Sequence, residues 1–272
     1  MKIDIVTIFP NMFTSPFAEG IVFRAIQKGL VEIRMINLRD FTTDPHKTTD
    51  DLPFGGGGGM VMKPEPIFKA VQSCMDQRCE PQRGSHQPCT PSGSGRSERI
   101  QTIESDENKP RIILLSPQGR TLDQSLCNIL SKEKHLILIC GRYSGVDERV
   151  REHLITDEIS IGDYILSGGE FCAMILVEAM VRLIPGALGN EESAQEDSFQ
   201  SGLLDGPRFT RPQNFEGHSI PEILLSGDHE KIKVWRRRES LKRTLRFRPD
   251  LIEKAELTEE DRGLLKNIKI RK

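Results

Sequence analysis

Residues 160–182 read SIGDYILSGGEFCAMILVEAMVR, and this stretch decides the fold. It begins as an extended segment, turns at the paired glycines Gly168-Gly169, and continues as a very apolar helix that ends before Pro185. Glycines allow a sharp turn and a close approach of a ligand to the backbone, and the helix start behind them offers unpaired N–H groups. The pattern is typical of a small-molecule pocket in an α/β protein. A plain strand–loop–helix connection is the alternative for this stretch taken alone.

Upstream of this stretch, two further strands are each followed by a glycine-bearing loop. Residues 111–116 and 135–140 are apolar runs of strand length, and they precede the loops PQG and GRYSG. Residues 157–161 form the third strand, directly before the opening stretch. In an open parallel sheet, ligands bind at the carboxyl ends of the strands. The three loops are therefore predicted to surround one pocket.

The remaining elements fit the same fold class. Strands are predicted over residues 2–9 and 30–36 with a helix over 16–28 between them, which is the spacing of a parallel crossover. Further helices are predicted over 63–75, over 122–130 with Thr121 as its cap, over 146–153 and over 170–184. The sequence predicts an α/β protein with a parallel sheet.

Composition narrows the class of protein. The chain has 272 residues, 36% hydrophobic and 29% charged, with a net charge of −2, which suits one large or two ordinary globular domains. The longest apolar run, 171–177, is far short of the ~20 residues that a membrane span needs. Asp4 interrupts the N-terminal apolar stretch and argues against a signal peptide. Six cysteines without a secretory context indicate a reducing, cytoplasmic location.

Two stretches interrupt the pattern. Residues 55–59 are five glycines between Phe54 and Met60, without the Lys-Ser/Thr of a P-loop, so either a flexible linker or a loop that folds over a ligand is possible. Residues 76–110 are rich in Pro, Ser, Gly, Gln and Arg, and they predict a disordered insertion. The insertion contains Cys79, His86 and Cys89, whose spacing lacks the paired C-x-x-C pattern of structural zinc.

The C-terminal part has a different charge pattern. An acidic, unpatterned loop is followed by residues 231–248, which contain nine Lys or Arg and one acid, Glu239, for a net +8. Trp235 lies among these cations. The segment predicts a basic helix that binds phosphate backbones, and a solvated helix face is the alternative. A terminal helix over 257–265 begins at Thr258. The predicted division is a first domain at 1–188, an interdomain loop at 189–201 and a helical basic domain at 202–272.

The chain resembles a known family through motifs that occur in a fixed order. These motifs are DDLPF (50–54) with the glycine run, SPQG (116–119), CGRY (140–143), IGDY (161–164), SGGE (167–170), EDSF (196–199) and GLLD (202–205). Together they resemble the bacterial tRNA (guanine-N1-)-methyltransferases, over nearly the whole chain except 76–110. The resemblance implies a SPOUT-type α/β fold with a deep trefoil knot and a small helical C-terminal domain. It also implies a homodimer with its active site at the subunit interface.

The resemblance further implies methyl transfer from S-adenosylmethionine to N1 of guanine 37 in tRNA. By match to the motifs, Asp197 is the general base and Arg182 contacts the target guanine, while Asp50, Ser193 and Asp205 contact the tRNA. The matching positions for the cofactor are Leu114, Leu115, Gly119, Gly141, Tyr143, Ser160, Ile161, Gly162, Tyr164, Leu166, Gly168 and Gly169.

Two positions depart from the family pattern. Ser144 stands where the family often has an acid that has been linked to magnesium, so the need for Mg²⁺ stays open. Arg208 stands where His is frequent, so the tRNA contacts differ in detail.

The proposed chemistry follows from the nucleobase. Guanine N1 carries a proton, and a carboxylate with a reference pKa of about 3.9 is a poor base for it. An arginine on O6 would stabilise the negative charge that deprotonation creates, so Asp197 and Arg182 make chemical sense together.

Each of these roles has a structural alternative. Asp197 could be part of a solvated acidic loop, and Arg182 could pair with Glu178 within its helix. A related knotted methyltransferase for ribosomal RNA or a ribose hydroxyl, and an RNA-binding module without activity, are the alternative functions.

Overall fold

The computed structural model describes residues 1–76, 109–189 and 197–268. Most of the predicted insertion 76–110 lies outside these ranges. The chain divides into two compact units, Met1–Ala187 and Leu188–Lys272. No helix of the described ranges is both long and apolar enough to cross a membrane.

The strands and helices follow one another as the sequence pattern indicates. The strands are β1 (Lys2–Thr7), β2 (Glu32–Asn37), β3 (Asp50–Asp51), β4 (Val61–Met62), β5 (Arg111–Thr121), β6 (His135–Cys140), β7 (Asp157–Ser160), β8 (Asn214–Phe215) and β9 (His218–Ser219). The helices are α1 (Gly20–Gln27), α2 (Pro64–Met75), α3 (Gln124–Leu130), α4 (Glu148–His153), α5 (Glu170–Val181), α6 (His229–Phe247), α7 (Pro249–Lys254) and α8 (Glu259–Lys266).

A five-stranded sheet forms the centre of the first unit. Its strand order is β2-β1-β6-β5-β7, and every neighbouring pair is parallel. This confirms the predicted α/β class with a parallel sheet, and the parallel pairing of β1 with β2 confirms the first crossover. Side chains of β6 are buried in apolar clusters on both faces of the sheet, which explains why its sequence HLILIC is apolar after the first residue.

Helices cover both faces of the sheet. Residues of α1, α3 and α5 pack with Ile3, Ile5 and Leu138 in one apolar cluster. Residues of α2 and α4 pack with Val6 and Ile137 in the other. The alternation of strand side chains therefore supplies two cores from one sheet, and α5 owes its apolar character to burial of much of its surface.

Several predicted boundaries are wrong, for physical reasons. Helix α1 begins at Gly20 and not at residue 16, because Glu19 is extended and Gly20 has a φ of +74°, so no helix can continue from residue 16 through these two positions. Helix α3 is capped by Asp123, whose carboxylate accepts a hydrogen bond from the amide of Leu126 at 2.7 Å, and not by Thr121. Thr121 instead belongs to β5.

Strand β5 is longer than predicted because it pairs twice with β7. The register shifts between Leu115 and Arg120, and pairing then resumes as Arg120 with Ile159 and Thr121 with Ser160. The intervening residues 116–119 bulge away from the ladder. They carry the first of the three predicted loops.

The second unit is built on the basic helix α6. Its buried face carries Ser240, Leu241 and Thr244. The Ser240 hydroxyl donates to the carbonyl oxygen of Leu204 at 2.5 Å, and the Thr244 hydroxyl accepts from the amide of Leu204 at 2.9 Å. Thr258 caps α8 as predicted, in a capping box with Asp261.

Candidate active site

Three loops line one cavity of about 300 Å³ at the bulge of β5 and at the carboxyl ends of β6 and β7. The loops come from residues 116–118, 141–145 and 161–169. This is the position where ligands bind in open α/β sheets, and the volume lies at the lower end of the range for small-molecule sites. The predicted convergence of the three loops on one pocket is confirmed.

The third loop returns to the end of β6 through its paired glycines. The amide of Gly169 donates to the carbonyl oxygen of Gly141 at 2.8 Å, and Gly168 forms an antiparallel bridge with Arg142. A Cβ added to Gly169 would lie 2.9 Å from Cα of Cys140. Only glycine permits so close a contact between these two backbones.

A buried ion pair also holds the loop after β6 and the start of α5 together. Nε of Arg142 donates to Oε2 of Glu170 at 3.0 Å, and Glu170 is fully buried. The other oxygen of Glu170 accepts from the hydroxyl of Thr7 at 2.8 Å. The Arg142 guanidinium also lies 4.4 Å from the centroid of the Phe9 ring. The ends of β1 and β6 and the start of α5 are thus tied together beneath the cavity.

Most of the predicted cofactor positions lie in the wall of this cavity. They are Leu114, Leu115, Gly141, Tyr143, Ser160, Ile161, Gly162, Tyr164, Leu166, Gly168 and Gly169. Gly119 does not: a Cβ at this position would lie 2.3 Å from the backbone nitrogen of Ile159, so the glycine instead allows the first loop to pass β7.

Sequence reasoning missed several other wall residues. They are Ser116, Pro117, Gln118, Arg142, Ser144, Gly145, Val146, Arg151, Ile159, Ile165, Ser167 and Cys172. Most are chain neighbours of predicted positions, so adjacency within the motifs could have found them. Arg151 is different, because it reaches the wall from α4 and only the fold brings it there.

The two thiols near the cavity are poor nucleophiles. Burial raises the pKa of the Cys172 thiol, which lines the wall, and raises the pKa of Cys140 at the end of β6 well above its ordinary value. Both thiols therefore stay protonated near neutral pH.

The glycine run forms the tip of a hairpin and is not a linker between domains. Its flanks pair as β3 and β4, with Asp50 opposite Met62. Four of its glycines have φ between +78° and +111°, which other residues rarely adopt. The amide of Ser144 donates to the carbonyl oxygen of Met60 at 2.9 Å, so the hairpin is attached to the loop after β6.

The predicted catalytic residues belong to different units. Arg182 is half-buried directly after α5 in the first unit, and Asp197 is half-buried in the second. Both make interactions.

The predicted tRNA-contact residues are also dispersed. Asp50 lies in β3, and Ser193 lies outside the described residues. The carboxylate of Asp205 accepts from Nε of Arg208 at 2.7 Å, so the arginine that replaces the frequent histidine pairs with a predicted tRNA contact.

The cations of α6 divide into structural and exposed groups. Arg237 forms a two-pronged pair with Asp261, at 2.7 and 2.8 Å, and holds α8 against α6. Arg236 and Arg238 are exposed, as is Lys233. The ring of Trp235 lies 6.5 Å from that of Phe209. An exposed basic surface with aromatic rings nearby is typical of proteins that bind nucleic acid.

No cluster of three or more potential metal ligands occurs in the described parts of the chain. Cys79, His86 and Cys89 lie outside those parts.

Comparison with known proteins identifies the family. The model of the family described as tRNA (Guanine-1)-methyltransferase TrmD matches residues 1–254. A tRNA (guanine-N(1)-)-methyltransferase of Dictyoglomus turgidum is 53% identical over 99% of this chain and 97% of its own length. Proteins of the same name from Dehalococcoides mccartyi and Anoxybacillus flavithermus are 49% and 48% identical, over 98% and 96% of this chain and 97% and 96% of their own lengths. The chain has a glycine-lined cavity at the carboxyl edge of a parallel sheet, and these relatives share one name and match it over nearly their full length. This chain therefore belongs to the tRNA (guanine-1)-methyltransferase TrmD family.

Proposed function

We propose that this protein transfers a methyl group from S-adenosylmethionine to N1 of guanine 37 in tRNA. Membership of the family supports the reaction class and the tRNA substrate. The observation that carries the proposal is the cavity formed by the three glycine-bearing loops. A tRNA substrate also implies a cytoplasmic enzyme.

The cavity wall suits S-adenosylmethionine. Leu114, Leu115 and Ile159 provide apolar surface for an adenine ring, while hydroxyl and backbone groups of the loops offer hydrogen bonds to the ribose and the amino-acid part. The tight packing at Gly169 keeps the backbones of two loops close enough to share one ligand. When bound, this group supplies an electrophilic methyl group on a positively charged sulfur.

Asp197 and Arg182 are the residues proposed to activate guanine. Asp197 accepts the N1 proton, and Arg182 stabilises the charge that develops on O6, so that N1 gains a lone pair for attack. Because the family resemblance implies an active site at a subunit interface, we propose that a homodimer assembles the active site. Phe171 and Ile175 on α5 are about half exposed, and these apolar side chains support the packing of a second subunit against this helix.

The loop geometry supports the trefoil knot that the resemblance implies. The segment after β7 returns to Gly141 at the end of β6, while the bulge within β5 passes β7 at Gly119. A knot is rare, because most folds avoid threading, so these close contacts between loops support the proposal without being common in other folds. Ser144 supplies no carboxylate to the wall, so the proposal assigns Mg²⁺ no ligand in this cavity.

The tRNA is proposed to contact Asp50, Ser193 and Asp205 and the exposed cations of α6. Such cations attract phosphate whatever the RNA sequence, so the base at position 37 must be selected by the residues proposed to activate it.

Methyl transfer into tRNA transcripts tests the proposal. Transcripts with guanine or adenine at position 37 are incubated with the protein and S-adenosylmethionine, and the modified base is identified by mass spectrometry. We expect 1-methylguanine only in the first transcript. Methylation of ribose or of ribosomal RNA would favour the related methyltransferases, and S-adenosylmethionine binding without transfer would favour an RNA-binding module.

A further inference from the structure

Two aromatic rings lie together on the surface of the second unit. The side chain of Phe209 is 48% exposed, and its ring centroid lies 6.5 Å from that of Trp235, with the two ring planes tilted by 46°. Trp235 belongs to α6 and is partly buried, whereas Phe209 lies in the segment before β8. A single exposed apolar side chain is normal on a protein surface, but a ring that packs on a second ring and stays half exposed offers a firm apolar surface to a planar ligand.

Cations on α6 flank this ring pair. Side chains three or four positions apart share a helix face, so Lys231 and Arg238 lie one turn on either side of Trp235, and both are exposed. Acids offset part of this charge, because Asp228 pairs with Lys231 at 2.9 Å and Glu239 shares the same face. Arg238 forms no ion pair with any residue that the structure describes. Its charge is therefore available to a ligand.

The chain around Phe209 adds two exposed arginines, Arg208 and Arg211. Arg208 is engaged by the carboxylate of Asp205 at 2.7 Å, whereas Arg211 forms no ion pair within the described part of the chain. Asp205 is one of the residues proposed to contact tRNA, and Phe209 follows it by four positions. The surface therefore suits a ligand that carries both negative charges and planar groups.

Unpaired nucleotides carry both kinds of group. In a duplex each base is covered on both faces by its neighbours, so a protein surface reaches mainly phosphates and base edges. In a loop the base faces are accessible, and a base that stacks on an aromatic side chain binds whatever its identity. The anticodon loop of tRNA, which contains guanine 37, is single-stranded and supplies such bases.

We propose that Phe209 stacks on an unpaired base of the anticodon loop other than the target guanine, with Trp235 packed against the ring. Arg211 and Arg238 bind the neighbouring phosphates. This inference rests on the proposed function and adds to it a binding residue in the second unit. Stacking favours a loop over a duplex, which phosphate contacts alone do not.

Filter binding with the full-length protein tests the inference. Two RNAs with the same number of phosphates are compared, an anticodon stem–loop with guanine 37 and a fully paired duplex. We expect Phe209→Leu to weaken stem–loop binding at least about fivefold, because leucine keeps apolar contact but has no ring face, and to leave duplex binding nearly unchanged. Unchanged stem–loop binding by this variant would overturn the inference, while methylation of guanine 37 by the wild-type protein would still support the proposed function.

Phe247→Leu is the matched control. Phe247 is 61% exposed at the end of α6, but the guanidinium of Arg246 lies 5.0 Å from the centroid of its ring and covers it. We expect this variant to bind both RNAs like the wild-type protein, after thermal melting has established that both variants fold. Equal losses of stem–loop binding in the two variants would mean that Phe209 has no special role, and the inference would fall.

Trp235 provides a second measurement, because it is the one tryptophan of the sequence. A base stacked on Phe209 lies close to the indole ring, so we expect the stem–loop to quench tryptophan fluorescence more than the duplex does, and less so in Phe209→Leu. Equal quenching by both RNAs would indicate phosphate contact alone and overturn the inference. A Phe209→Leu protein of smaller mass in dilute solution would assign the ring to contact with a second copy of the chain and would also overturn it. Binding of neither RNA by the wild-type protein would contradict the tRNA substrate as well.

Discussion

At the scale of single residues, Glu170 contributes most to the geometry beneath the cavity. It is fully buried, and its two oxygens connect Arg142 of the second cavity loop with Thr7 at the end of β1. A buried ion pair is weak evidence of net stabilisation, but removal of one partner leaves a buried charge without compensation. Glu170 therefore holds the loops in place through Arg142 and does not itself line the cavity.

We predict that Glu170→Gln lowers the free energy of unfolding by about 3–5 kcal/mol. The substitution removes the charge that compensates Arg142, whose side chain is only 16% exposed. Glu148→Gln is the control, because Glu148 is exposed and its partner Arg151 keeps Glu158; its expected cost is below ~1 kcal/mol. Chemical denaturation of both variants measures the difference, and equal losses would contradict the account.

In the second unit, Asp261 has a comparable structural role. Two hydrogen bonds from Arg237 lower the pKa of the Asp261 carboxyl to about 2, and the carboxylate also accepts from the amide of Thr258. A folded-state pKa below the unfolded value means that the charged form stabilises the fold. This stabilisation is complete above about pH 4 and is lost as the pH falls towards 2.

We predict that Asp261→Asn costs about 2 kcal/mol at neutral pH and that the difference from the wild-type protein closes between pH 4 and pH 2. Thermal melting as a function of pH measures it. Asp250→Asn is the control, because Asp250 pairs with Arg248 and both side chains of that pair are exposed. A constant difference across this pH range would show that the Arg237 pair does not stabilise the fold.

At the scale of elements, the sequence predicted the strands better than the contacts between loops. Strand β6 could be predicted because HLILIC is apolar on both faces. The second pairing of β5 with β7 could not, because residues 116–119 contain Pro and Gly and resemble the end of a strand. The bridge between Gly168 and Arg142 joins segments far apart in the chain, and local patterns contain no information about it.

In the candidate site too, local patterns predicted some features and missed those that depend on the fold. Local motifs led to predicted cofactor positions of which most lie in one wall, but Gly119 lies outside that wall and packs closely against β7, and Arg151 reaches the wall from a helix. Neither outcome follows from residue type or spacing. Both depend on where β7 and α4 lie once the sheet has formed.

We predict that Gly169→Ala weakens binding of S-adenosylmethionine at least tenfold and lowers the melting temperature. The added Cβ would lie 2.9 Å from Cα of Cys140, so the backbone of the third loop must move away from the second. Gly58→Ala is the control, since nothing lies within 4 Å of its added Cβ and its φ is not in the left-handed range. Calorimetry and melting curves compare the two, and a Gly169→Ala protein that binds normally would contradict the proposed closeness of the loops.

At the scale of the whole molecule, the proposed function requires two separate kinds of recognition. The first unit supplies a pocket for a small ligand, and the second supplies exposed cations on α6. The net charge of the chain, −2, conceals this separation. Under the proposed function, electrostatic attraction by α6 would be independent of RNA sequence, whereas the catalytic residues would select the base.

We predict that Arg238→Gln weakens binding of all tRNA transcripts alike. The slope of log affinity against log salt concentration should become shallower by about one. Arg238 is exposed on α6. Arg149→Gln in the first unit is the control, because Arg149 is exposed but engaged by Asp147 at 2.7 Å. Filter binding over a salt series measures both, and a selective loss for one transcript would contradict a phosphate contact.

The proposed chemistry requires a carboxylate and a guanidinium to act together on one guanine, and single-turnover methyl transfer tests this most directly. The measurement compares the wild-type protein with Asp197→Asn, Arg182→Gln and the double variant, on a transcript with guanine 37, with cofactor binding followed by calorimetry. We predict that each single variant loses about 10²–10⁴-fold in rate, that the double variant loses little more, and that Asp197→Asn still binds S-adenosylmethionine. An Asp197→Asn protein that methylates guanine 37 at nearly the wild-type rate would contradict the account.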